Sequence, residues 1–236
     1  MTRSNPSIRN ACRVVLFCSC QRLVDWQGQV GGQGLAVFEH LAEAGDIASV
    51  VFNAQNIDQT TVQSLLEPIT ALLQARGIAV IVDGDTRTAG RIGADGLQIG
   101  AEAPLLQDTK AQHGARMMVG VTNVKTRHNA LLLGEGEPDY IMFGKQGTDT
   151  RPEPHPKNIE LGQWWSAMVE IPCIVLGGNT VESVVAVAQS GVEFVGLETA
   201  IFGSDEDAAT RDQICDRLRT ANQLLDDYAP VFESLD

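Results

Sequence analysis

Cations are what this sequence has least of. Lys and Arg number 17 against 30 Asp and Glu, giving a net charge of −13 and a pI near 4.6. Such an acidic surface repels nucleic acid and anionic membranes, so neither is expected as a partner. A phosphate ligand is not excluded, because local backbone dipoles outweigh a distant net charge. No apolar run is long enough to cross a bilayer, and residues 1–10 are polar, so no membrane span and no secretory signal are expected. Cysteine signatures are missing as well. The five cysteines are Cys12, Cys18, Cys20, Cys173 and Cys215, and Cys18-Ser19-Cys20 has the wrong spacing for a CxxC metal or redox site. They read as buried, reduced thiols, which fits a cytoplasmic location. No Ser-His-Asp, HExxH or P-loop pattern occurs. His40, His113 and His128 fall on expected helices and read as surface histidines, whereas His155 lies in a Pro-rich loop.

What the chain does have is a regular alternation. Short, continuous apolar runs occur at 14–18, 48–52, 78–82, 96–99, 117–121, 140–143, 173–176 and 194–197. Each is too short for a helix and is bounded by Gly, Pro, Asp or Asn. Continuous rather than alternating apolarity is the mark of a parallel sheet covered on both faces. Between the runs lie segments of helical spacing, such as Val37, Phe38 and Leu41, or Leu65, Leu66, Ile69 and Leu73. Gly45, Gly77 and Gly191 follow three of these segments and predict left-handed helix ends. An acid stands just before several strands, as in Ile92-Gly93-Ala94-Asp95-Gly96 and Gly136-Glu137-Pro138-Asp139-Tyr140. With 236 residues and no compositional break, the pattern predicts a single (β/α)8 barrel over 1–236, with flexible tails at 1–10 and 229–236. A doubly wound open sheet is the alternative. Ser204, followed by Asp205-Glu206-Asp207, is expected to cap the last helix.

In a barrel the ligand site lies at the carboxyl ends of the strands. There the seventh run stops at Gly177 and Gly178, and Asn179 is expected to cap the next helix with Glu182 as capping-box partner. Two glycines let backbone N–H groups approach an anion, and Thr199 and Ala200 after the eighth run extend the same cradle. The sixth connection, 144–156, is long, polar and Pro-rich, as functional lids are. Asp83-Gly84-Asp85 after the third run admits two readings: a paired-carboxylate Mg2+ site, or Asp85 as the cap of a helix starting at Thr86.

Five stretches carry a family resemblance: IGADGLQIG (92–100), VGVT (119–122), DYIMFG (139–144), IPCIVLGGN (171–179) and GVEFVGLETAIF (191–202). They resemble the thiamine phosphate synthases and the related thiazole tautomerases. The resemblance implies a (β/α)8 barrel and a reaction joining hydroxymethylpyrimidine diphosphate to a thiazole phosphate, with Mg2+ as cofactor and diphosphate released. It implies small-molecule phosphate esters as partners and leaves a homo-oligomer open. Carried over by motif, Thr122 and Arg151 are the catalytic positions, Arg151 standing where the family has Lys. Thr148, Thr150, Gly177, Gly178, Asn179, Thr199 and Ala200 would bind phosphate and substrate, and Asp83 and Asp85 would hold the metal. The family's strand-two cations have no counterpart in Val50-Val51-Phe52-Asn53-Ala54. Its metal-binding acids fall on Gly84 and Ala103, and the tautomerases' histidine falls near Val124. The expected function is therefore a thiamine phosphate synthase with an altered diphosphate and metal site. The alternative is an inactive or repurposed relative that binds a thiamine-type phosphate ester.

Overall fold

The computed structural model describes residues 8–9, 12–28, 33–54, 57–204, 208–228 and 231–232. Eight parallel strands close into a barrel in chain order: β1 (Arg13–Ser19), β2 (Ser49–Asn53), β3 (Ala79–Asp83), β4 (Gly96–Ile99), β5 (Met118–Val121), β6 (Tyr140–Phe143), β7 (Cys173–Leu176) and β8 (Phe194–Leu197). Because β8 pairs with β1, with Val195 opposite Val14, the sheet has no edge and the open-sheet alternative is excluded. The outer ring is built from α1 (Cys20–Gly28), α2 (Gln33–Ala44), α3 (Gln59–Ala75), α4 (Thr86–Ile92), α5 (Ala103–His113), α6 (Arg127–Gly134), α7 (Pro156–Met168), α8 (Val184–Gln189), the short α9 (Thr199–Phe202) and α10 (Arg211–Tyr228).

Both faces of every strand are buried, which is why the apolar runs are unbroken. Val15, Phe17, Val51, Ile81, Tyr140, Met142, Ile174 and Leu176 fill the barrel interior. Their chain neighbours Leu16, Val50, Phe52, Val80 and Val82 join the larger core between barrel and helices. The interior holds the Tyr140 ring only because β5 carries Gly120 opposite it; a Cβ there would collide with that ring.

The acids before the strands have a structural use. Asp95 before β4 accepts from Val80 N of β3 at 2.8 Å, and Asp139 before β6 from Val119 N of β5 at 2.7 Å. Glu193 before β8 accepts from Cys173 N of β7 at 3.0 Å. Each carboxylate takes an amide at the start of the preceding strand, that of the second residue in β3 and β5 and of the first in β7.

Two local expectations are corrected. Gly77 and Gly191 are left-handed (φ 74° and 80°), but Gly45 is not. Gly45 instead lies so close to α10 that a Cβ would fall 2.8 Å from the Asn222 amide. Ser204 does not cap the last helix. That helix starts at Arg211, and Thr210 and Gln213 form its reciprocal capping box, with Thr210 N donating to Gln213 Oε1 at 2.8 Å. The acidic run 205–207 lies outside the described residues. So do most of the two tails, apart from an antiparallel ribbon that pairs Ile8 with Phe232 and Arg9 with Val231. All five cysteines are free and buried.

Candidate functional site at the carboxyl ends of the strands

Strand register sets the floor of the site. Ser19, Asn53, Asp83 and Gln98 are hydrogen-bonded neighbours across the ends of β1 to β4. They share the parity of Phe17, Val51 and Ile81, so they face the barrel axis. Asn53 Nδ2 donates to Asp83 Oδ2 at 3.2 Å, and Tyr140 Oη donates to the fully buried Gln98 Oε1 at 3.1 Å. Burial pushes the Asp83 carboxyl up to about 6, opposed by the Gln98 side chain and the Lys145 ammonium. Phe52 points the other way and packs edge-on against Phe38, with centroids 5.4 Å apart. The residue that β2 presents to the mouth is therefore the neutral Asn53.

Asp85, expected as the second metal ligand, is occupied as the cap of α4. Its Oδ1 accepts from Arg87 N and Thr88 N at 3.0 and 3.1 Å, and its Oδ2 from Thr88 Oγ1 and Gln59 Nε2. With its acceptor positions taken, the pair as folded does not fit a magnesium ion. Among the described residues, no group of three or more His, Cys, Asp or Glu is placed to hold a metal.

The other half of the mouth is governed by residues that sequence reasoning missed. Glu198, at the end of β8, is buried and accepts from Gln146 Nε2 at 3.0 Å and from Gly147 N at 3.2 Å. Burial pushes its carboxyl up to about 7; the Gln146 hydrogen bond lowers it, the neighbouring Asp149 raises it and Arg22 lowers it. Arg22, on α1, is itself buried and donates to the carbonyls of Phe202 and Gly203 at 3.5 and 3.2 Å. Within the Thr148-Asp149-Thr150 motif the expected order is reversed. Both threonines are exposed, and Asp149 is buried, accepting from Thr199 N at 2.8 Å. Burial raises its pKa and the Thr199 hydrogen bonds lower it. The only sequence signal for Glu198 was an acid closing an otherwise apolar strand.

The sixth connection lies down over the cradle. Asn179 N donates to Arg151 O at 2.7 Å, and Thr180 Oγ1 to Pro152 O at 3.2 Å. Gly178 has no room for a side chain, because a Cβ would collide with the Pro152 carbonyl. Asn179 does not cap a helix: a 3-10 turn at Val181–Ser183 follows Thr180 in extended backbone, with no side-chain cap bond. The Gly177 amide is committed to Gly196 O at 2.9 Å, so it is not open to a ligand.

The expected ligands are thus divided between two cavities. One, of about 690 Å3, is lined by Lys125, Lys145, Thr148, Thr150, Arg151 and Gly177 among others. The second, of about 450 Å3, is lined by Asn179, Glu182, Thr199, Ala200 and Arg217 among others. Gly178 lies under the loop between them. Thr122 lines neither; its Oγ1 sits 3.2 Å from Met142 Sδ.

Fold and site together define a (β/α)8 barrel whose polar groups gather at the carboxyl ends of its strands. The family model for thiamine monophosphate synthase matches residues 23–201. A thiamine-phosphate synthase of Erythrobacter litoralis is 31% identical over 72% of this chain and 81% of its own length. One of Rhodospirillum centenum is 33% identical over 66% of this chain and 75% of its own. Among solved structures, the thiamine phosphate pyrophosphorylase from Pyrococcus furiosus superposes with a TM-score of 0.72 at 16% identity, covering 94% of this chain and all of that one. The chain belongs to the thiamine monophosphate synthase family.

Proposed function

We propose that the protein is a thiamine-phosphate synthase of thiamine biosynthesis with a rebuilt diphosphate site. The observation that carries this reading is the convergence of the connections after β6, β7 and β8. Their Thr199 and Asn179 amides already receive oxygen ligands, and Lys145 and Arg151 line the adjoining cavity. In this reading the thiazole phosphate sits on those two amides, over the side-chain-free Gly178 and beside Ala200, Thr148 and Thr150. In the reaction, the bond between the pyrimidine methylene and diphosphate breaks and its electron pair leaves with diphosphate. The thiazole nitrogen then supplies the pair for the new C–N bond. Lys145 and Arg151 neutralise the departing charge, as preorganised cations do. A cytoplasmic location belongs to the same reading; among the described residues no helix is long and apolar enough to cross a membrane.

A second reading, binding without turnover, is favoured by one observation. The run 50–54 carries no cation where the family pattern has them, and Gly84 and Ala103 stand where it has metal-binding acids. The experiment that separates the two incubates the protein with hydroxymethylpyrimidine diphosphate, thiazole phosphate and Mg2+ and measures thiamine phosphate. Product formation is expected. Calorimetric binding of thiazole phosphate without product would replace the first reading by the second.

A further inference from the structure

Five hydrogen bonds, counting Thr180 Oγ1 to Pro152 O, tie the 146–152 segment to the connections after β7 and β8. Gln146 and Gly147 bind the Glu198 carboxylate, Asp149 binds the Thr199 amide, and Arg151 O binds the Asn179 amide. Asp149 is 6% exposed although its chain neighbours Thr148 and Thr150 are exposed, so the loop turns this one carboxylate inward. An acid buried beside a second acid, Glu198, is costly unless it gains something, and here it gains a charge-assisted bond to a backbone donor. The charged groups facing it are Glu198 from β8 and Arg22 from α1. The segment lines the first cavity through Thr148, Asp149, Thr150 and Arg151, and the two amides it holds belong to Asn179 and Thr199, which line the second.

We propose that Asp149 is a resident competitor for the substrate phosphate. The loop holds the Thr199 and Asn179 amides with its own oxygens, and a phosphate ester enters by displacing it. This rests on the reading of those amides as the phosphate cradle. A ligand that binds only the open form has its affinity reduced by the fraction of molecules that are open. Weakening the closed form therefore strengthens binding, the opposite of what loss of a ligand-contacting residue does.

The test uses the full chain and two probes, inorganic phosphate and thiazole phosphate, titrated calorimetrically into the wild type, Asp149→Ala and Asp149→Asn. The alanine variant, which removes the competing charge and its hydrogen bond, is expected to bind about tenfold more tightly than wild type. The asparagine variant, which keeps a neutral acceptor, is expected to show a smaller gain. Hydrogen exchange in the 146–152 segment is expected to speed up when phosphate is added to wild type. Unchanged or weaker binding by both variants, or slower exchange, with wild type still binding, overturns the competitor and leaves the phosphate cradle standing. Absence of binding by all three proteins overturns the cradle itself. If the alanine variant does not melt cooperatively, the asparagine variant decides.

Discussion

Asp83 and Asp85 stand two residues apart and are spent differently. Asp85 is a helix cap, so Asp85→Ala should cost about 1 kcal/mol of stability, read as a lower urea midpoint, with thiazole phosphate affinity unchanged. A large loss of affinity in a protein of normal stability would instead restore Asp85 to the ligand site. The sequence left both roles open because capping depends on the extended backbone at Asp85 (φ −106°, ψ 93°), which no residue pattern specifies. The same limit hid Asp149. In a strand, the observed register settles which side chains turn inward, as it does for Asn53 and Asp83. In the irregular backbone of 144–155 there is no parity, and the buried member of Thr-Asp-Thr emerges only from the fold.

At the scale of elements, the eight strands were legible almost to the residue, since a run buried on both faces leaves no polar interruption to blur its ends. Less was legible where elements are short. The four residues of α9 and the 3-10 turn at Val181–Ser183 span too little chain for a helical period, and the cap expected at Ser204 fell on Thr210. The acids before β4, β6 and β8 were visible as a repeat, but their use was not, because each serves the strand before it across the ladder. Asp139→Ala should leave the Val119 amide without its acceptor and cost about 1–3 kcal/mol. Asp139→Asn, which keeps an acceptor oxygen, should cost less. Loss of the partly exposed Lys110 pair contributes little to either figure. Urea denaturation of both variants checks the order, and equal costs would contradict the hydrogen-bond explanation.

For the molecule as a whole, buried acids set a pH dependence. Glu198 is raised to about 7 and Asp83 to about 6, so the folded state binds protons more tightly than the unfolded chain at both groups. Their favourable contribution is complete below the ordinary carboxylate range and is lost as pH rises through 6 to 7. Stability should therefore fall between pH 5 and pH 8, in the same direction as the self-repulsion of a chain with net charge −13. Glu198→Gln should flatten that fall by on the order of 2–3 kcal/mol, seen as a smaller drop in Tm across the interval. A variant as pH-sensitive as wild type would show that Glu198 titrates normally. Geometry at this scale also has a topological side. Strand β8 closes on β1, and outside the barrel Ile8–Arg9 lies alongside Val231–Phe232. Paired strands run about 4.8 Å apart, so a short peptide would join these two segments. New termini opened between α5 and β5, in the turn that follows His113, would leave every rung of the barrel in place. Circular permutation would then renumber the strands without altering one neighbour relation.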